Sequence, residues 1–190
     1  MARLKSENRR NLILNTSKSL FSQKGYFNTS ISDIVKECGL PVGSIYTYFA
    51  SKEEIVRTIV EEGWQDVIDR LISQLKQAKT PQNKLKLILK RFLPELMEDA
   101  DLIDILLSEA ISLTRIEEKI QVLLDLIIKI IKEAGAPDVD TKYMKTALIV
   151  YFLGILNFVR LSRAGAIDLG SKELYKFLQE TIQTSMGIKI

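Results

Sequence analysis

The chain has no histidine and only one cysteine, Cys38. The first absence removes the usual general base from any Ser/His or Cys/His nucleophilic scheme. The second rules out an internal disulfide, and together they leave no thiol and imidazole cluster for zinc. No metal or other cofactor is expected, and enzyme readings start at a disadvantage. Four prolines and nine glycines in 190 residues are too few for extended flexible linkers. No stretch approaches the roughly 20 uninterrupted apolar residues of a membrane span. The opening Met1-Ala2-Arg3-Leu4-Lys5 leads into polar sequence rather than a signal-type apolar run. A cytoplasmic protein with no membrane partner is the expectation.

What the chain does have is apolar residues, 46% of the total, enough to bury a sizeable core. Its length allows no more than about two domains. The net charge of +3 is unevenly divided. Met1 to Lys52 holds eight Lys/Arg against three Asp/Glu, which is +5, and the other 19 basic and 21 acidic residues give −2. Positive charge concentrated in one quarter of a chain suits a surface that meets phosphate, although a solvated basic end has the same composition.

Apolar residues recur at three- and four-residue spacing in nearly every long segment, and no alternating run marks a strand. The fold class is therefore all-α. The first helix is expected from about Glu7 to Lys24, with Leu12, Ile13, Thr16, Leu20 and Phe21 on one stripe and Gly25 as its left-handed end. Ser30 followed three residues later by Asp33 resembles a capping box, so a short helix should start there and bury Ile31, Ile34, Val35 and Cys38. Gly39 permits a tight turn, and Pro41 suits the first turn of the next helix, Pro41 to Phe49. Ser51 should cap a long fourth helix reaching about Lys79, with Glu53 and Glu54 in its first turn. Further helices are expected at Pro81 to Glu98, Leu102 to Leu113, Ile116 to Ala134, Asp140 to Ala164 and Ser171 to Met186.

Two short helices joined by a glycine turn and backed by a longer one make a helix-turn-helix, the geometry in which a second helix enters a major groove. On Pro41 to Phe49, Ile45 and Phe49 share an inward face. Val42, Gly43, Ser44, Tyr46, Thr47 and Tyr48 are left for the outer surface. Gly43 allows close backbone approach, Ser44 and Thr47 donate and accept, and the tyrosine hydroxyls reach phosphates or base edges. The competing reading makes Tyr46 and Tyr48 core or interface aromatics. Lys52 lies beside a helix N-terminus, where a cation is slightly unfavourable, and this suggests an external anion. Arg3, Lys5, Arg9 and Arg10 read equally well as a phosphate-binding arm or as solubilising charge.

The run from Cys38 to Ile55, CGLPVGSIYTYFASKEEI, resembles the TetR family of regulators, and Phe21, Gly25-Tyr26, Thr29-Ser30-Ile31 and Asp33-Ile34 match it upstream. The resemblance implies a helix-turn-helix DNA-binding domain over 1–52 and an effector-binding and dimerisation domain over 53–190. The three-helix head is joined by the long fourth helix to a helical body, about nine helices in all. It implies a ligand-responsive repressor, a homodimer reading a palindromic operator in double-stranded DNA. Carried over by position, Tyr46 matches a phosphate-contacting tyrosine and Lys52 the lysine that opens the fourth helix. Ser30 falls where a hydroxyl often meets phosphate, and Pro41, Val42, Ser44 and Thr47 face base edges.

Beyond Gly63 the resemblance fades. The last two helices carry more apolar residues than one face needs: Tyr143, Met144, Ala147, Leu148, Val150, Tyr151, Leu153, Gly154, Ile155, Phe158 and Leu161, then Leu174, Phe177, Leu178 and Ile182. In the family these helices form a four-helix dimer interface. The middle helices would line an effector pocket, with Phe92, Leu96, Leu102, Leu106 and Ile127 as apolar contacts, joined from the helix over Asp140 to Ala164 by Tyr151 and Phe152 and by Asn157 orienting a head group; plain core has the same composition. Such a lining favours a hydrophobic or amphipathic effector, such as a fatty acyl-CoA or another lipophile. Two alternatives are an all-helical interaction module that binds no DNA and a bundle enzyme using Glu109 with Glu117-Glu118. The first leaves the +5 head unexplained, and the second lacks the Glu-x-x-His pattern of di-iron bundles.

Overall fold

A computed structural model describes residues 2–108, 112–114, 116–136, 140–168 and 171–186, and every described element of regular structure is helical. The helices are α1 (Ala2–Lys24), α2 (Ile31–Cys38), α3 (Val42–Tyr48), α4 (Lys52–Leu75), α5 (Pro81–Leu87), α6 (Leu93–Glu98), α7 (Ala100–Leu106), α8 (Ile116–Glu133), α9 (Thr141–Arg163) and α10 (Ser171–Met186). A π-helical turn over Ile88–Phe92 joins α5 to α6, so 81–98 is one rod and the described residues form nine rods.

That turn is where the helix expected over Pro81 to Glu98 departs from α geometry. Pro94 has no N–H, and its ring would clash with the carbonyl four residues back, that of Lys90. The chain widens instead, and the Leu93 N–H reaches the Ile88 carbonyl, five residues back. Elsewhere the differences are at ends. The first helix begins at Ala2 rather than Glu7, Pro41 is the N-cap of α3 rather than its first helical residue, and the helix expected to reach Leu113 stops at Leu106. Leu12, assigned to the buried stripe of α1, is largely exposed.

The chain divides into two compact units, 1–64 with 100–116 and 65–99 with 117–190. In the first, called the head here, Ile13, Phe21, Ile34, Ile45, Phe49, Ile55, Val56, Val60 and Trp64 form the core. α7 packs on α1 in this unit, where the Ser22 hydroxyl lies 3.1 Å from the Asp104 carboxylate. Leu102 is fully buried, and a Cβ built on Gly63 would lie 3.3 Å from its methyl groups. Glycine at position 63 thus lets α7 approach α4 closely.

In the second unit, the body, Leu71, Leu85, Leu89, Phe92, Leu96, Leu124, Ile128, Ile131, Met144, Leu156, Val159, Leu174 and Leu178 are buried. Gln74 donates to Glu95 at 2.8 Å, Lys145 pairs with Asp125 at 2.7 Å, and the Lys90 ammonium lies 5.4 Å from the Tyr175 ring centroid. One face of α9 and part of α10 is apolar yet exposed. Val150 is 64% and Phe177 56% accessible, with Tyr143, Tyr151, Leu153 and Leu161 also open. By length and mean hydropathy, 1.5, α9 is the one described helix apolar enough to cross a membrane. It escaped the sequence criterion of uninterrupted apolar runs because Lys142, Lys145, Asn157, Arg160 and Arg163 interrupt it.

Candidate nucleic-acid interface

The reading head is built from its turns outward. α1 ends at Gly25, whose φ of 83° is left-handed, and its N–H donates to the Phe21 carbonyl at 3.0 Å. Ser30 then starts α2 with both arms of a capping box. The Asp33 N–H donates to the Ser30 hydroxyl at 3.1 Å, and the Ser30 N–H to the Asp33 carboxylate at 2.8 Å. The Ser30 hydroxyl and N–H, hydrogen-bonded to that carboxylate, hold the Asp33 pKa below its ordinary value of 3.8. α2 ends at Gly39, φ 64°, and no carbon stands within 4 Å of where its Cβ would be; the backbone conformation and not space requires glycine there.

α3 follows Pro41 with a hydrogen bond from the Ser44 N–H to the Pro41 carbonyl at 2.8 Å. Ile45 and Phe49 point into the core, as their spacing required. Pro41, Val42, Gly43, Tyr46 and Thr47 are exposed, Tyr46 by 54%, while Ser44 and Tyr48 are half-buried. The Thr47 hydroxyl donates to the Gly43 carbonyl at 2.8 Å, which leaves its oxygen lone pairs outward as acceptors. Ser30 is exposed at the start of α2. The helix thus offers an outer strip of small and hydroxyl-bearing groups over an apolar inner edge.

α4 is started by Ser51, whose hydroxyl accepts from the Glu54 N–H at 3.1 Å, and the Glu54 carboxylate accepts from the Ala50 N–H at 2.6 Å. Lys52 has a geometry that its position alone did not suggest. Its ammonium lies 2.7 Å from both the Tyr26 and the Thr29 carbonyl oxygens and 4.2 Å from the Tyr26 ring centroid. Burial pulls the Lys52 pKa down from its ordinary value and pushes the Tyr26 phenol up.

Among the basic residues before α2, Arg10 pairs with Glu62 of α4 and lies 5.6 Å from the Phe49 ring centroid. Its hydrogen bond to Glu62 raises its pKa. Arg10 is therefore tied to the fold, whereas Arg9 is exposed. The side chains of Arg3 and Lys5 lie outside the described residues, as do Glu109 and the side chain of Glu117.

The expected effector contacts do not share one unit. Phe92 and Leu96 are buried in the body, with Ile127 and Phe152 half-buried and Tyr151 and Asn157 exposed. Leu102 and Leu106 are in the head, buried in its core. Sequence reasoning missed the Lys52 partners, the Arg10–Glu62 pair and the assignment of α7 to the head. Tyr26 and Thr29 lie 26 and 23 residues from Lys52, and a backbone oxygen leaves no signature in sequence.

A three-helix unit that turns its second short helix outward is a helix-turn-helix head. Residues 13–59 match the family model for bacterial regulatory proteins of the tetR family. The likeness to that family rests on this N-terminal segment. The chain is 31% identical over 98 residues to YuxN of Bacillus subtilis (strain 168), described as an uncharacterized HTH-type transcriptional regulator, covering 52% of this chain and 34% of that protein. It is 29% identical over 90 residues to the fatty acid metabolism regulator protein of the same organism, covering 47% and 46%. The chain thus spans about a third to a half of the length of these curated relatives. The fold is similar to that of the fatty acid degradation regulator FadR from Bacillus halodurans, with a TM-score of 0.73, 19% identity and coverage of 92% and 94%.

Proposed function

We propose that the chain is a ligand-responsive transcriptional repressor that binds a palindromic operator as a cytoplasmic homodimer. The outward strip on α3 carries this reading, because it is exposed on a head whose first 52 residues are +5. Pro41, Val42, Ser44 and Thr47 face base edges, and Gly43 lets the backbone close on the duplex. Tyr46, Tyr48 and Ser30 contact phosphate. In domain terms, 1–52 reads DNA and 53–190 holds the effector and the dimer contact.

The apolar surface on α9 and α10 supports the homodimer. Val150, Leu153, Leu161 and Phe177 are exposed in a single chain, and a second copy would bury them in an isologous four-helix contact. A hydrophobic or amphipathic effector, a fatty acyl-CoA or a similar lipophile, fits the apolar body core around Phe92, Leu96 and Ile127. A relative and a structural neighbour bearing fatty-acid regulator names favour that class. The effector stabilises a dimer whose heads no longer match the half-site spacing, with a coupling of about 1 to 3 kcal/mol.

The test is a mobility shift on DNA from upstream of the chain's own gene, with and without a long-chain acyl-CoA. Binding that weakens steeply with salt and is released by the acyl-CoA is expected. A shift indifferent to salt defeats the DNA-binding reading. Release by no lipophile defeats only the effector.

A further inference from the structure

The start of α4 carries a contact that the reading face does not use. The Tyr26 carbonyl accepts from the Thr29 N–H at 3.3 Å and from the Lys52 ammonium at 2.7 Å, and the Thr29 carbonyl accepts from Lys52 at 2.7 Å. Thr29 is buried, and its hydroxyl donates to the Gly25 carbonyl at 2.9 Å at the end of α1. The Tyr26 ring lies under the ammonium and is edge-on to Phe21, with centroids 5.4 Å apart. The lysine therefore draws together the end of α1, the turn after it and the first residue of α4. Ser30, which caps α2, is the next residue along.

A phosphate contact needs an ammonium turned to solvent with donors free. An ammonium has three N–H groups, and here two of them are taken by carbonyl oxygens while an aromatic ring lies beside the charge in a half-buried place. These neutral acceptors offset the cost of burying the charge. We infer that Lys52 is a positioning residue, a clamp that fixes the α1–α2 turn against α4 and so sets where α2 and α3 stand, rather than a contact to the DNA backbone. Its consequence for operator binding rests on the DNA-binding function proposed above; the clamp itself does not.

Lys52→Met keeps the stem and removes the donors. In the full chain it should lower the thermal midpoint, measured without DNA, by about 2–6 °C. It should also weaken binding to a random-sequence duplex while leaving the slope of log affinity against log salt unchanged. A backbone contact behaves otherwise, with the slope falling by about 0.9 for the one lost phosphate. A fall of that size overturns the clamp whatever the midpoint does, and so does an unmoved midpoint. If Lys52→Met is not recovered folded, Lys52→Arg decides. It retains a charge that satisfies a phosphate but replaces a compact ammonium with a longer planar fork. The clamp expects a lowered midpoint from it; wild-type midpoint and affinity overturn the clamp. Should the wild-type chain bind no duplex at low salt, the proposed function fails and the midpoints still judge the clamp.

Discussion

The head and the body differ in how far their chemistry is completed within one chain. In the head, polar groups at the helix ends are answered within the unit: Ser30 by Asp33, Ala50 by Glu54, and the Tyr26 and Thr29 carbonyls by Lys52, while Arg10 is answered by Glu62. Most of its apolar side chains are inside, with Leu12 and Phe27 open, and apart from Val42 what it leaves out on α3 is small or hydroxyl-bearing. In the body, the buried core is joined by a second apolar set on α9 and α10 that one chain leaves open. The contrast teaches where to look for partners. A surface of hydroxyls and glycine on a unit whose first 52 residues sum to +5 suits a polyanion, and a surface of Val, Leu, Tyr and Phe suits another apolar surface.

The largest expected effect tests the body's half of that contrast. Val150→Asp combined with Phe177→Asp places two charges on the open apolar face. If that face is a dimer contact, the dissociation constant should rise about 100-fold or more, roughly 3 kcal/mol, because unpaired charge is desolvated on association. Sedimentation equilibrium reads this directly, and an unchanged oligomeric state removes the comparison's main support. In the head, Ile45→Ala is next in size. Ile45 is 0% exposed, so truncation should cost about 2–4 kcal/mol in urea unfolding while leaving self-association alone. A loss under about 1 kcal/mol would mean that α3 is not held by its inner face.

These two regions were also unequally legible in the sequence. Ile45 and Phe49 could be placed inside α3 from their spacing, and Ser30 with Asp33 announced α2, because both signals lie within one turn of helix. The partners of Lys52 could not be read, since they are peptide oxygens brought near by the fold. The π turn at 88–92 was missed by the expectation of one helix over Pro81 to Glu98, which took no account of Pro94, and a proline within a helix signals an interruption without saying which form it takes. In the body, Phe92 and Leu96 were recognisable as apolar face residues. Leu102 and Leu106 read the same way and belong to the head, because leucine carries no label for which core it joins.

Tyr46→Phe sharpens the head's half. The ring is exposed and loses only its hydroxyl, so stability should stay within about 0.5 kcal/mol of wild type. Duplex affinity should fall about fivefold, near 1 kcal/mol, by a similar factor on every sequence, as befits a phosphate contact. Fluorescence anisotropy on the operator and on a scrambled duplex separates this from a base contact, which would fall on the operator alone. Ile45→Ala and Tyr46→Phe are neighbours in sequence, so opposite outcomes for stability and binding would divide α3 into an inner and an outer face.

The smallest effect concerns the cap of α2. The Ser30 hydroxyl and N–H, hydrogen-bonded to the Asp33 carboxylate, keep its folded pKa below 3.8, so the charged form is favoured in the folded chain. For a depressed carboxylate, the stabilisation is fully present above the unfolded value and disappears as pH falls through the folded one. Asp33→Asn should therefore be slightly less stable than wild type at neutral pH, and the difference should close only below pH 3.8. The Ser30–Asp33 hydrogen bond is open to solvent, which keeps the difference small, and salt should shrink it further. Urea midpoints of the two proteins, taken across this range, check the sign. A gap that widens toward acid would mean that the carboxylate opposes the start of α2 rather than securing it, and the head's turns would then not all be closed by their own side chains.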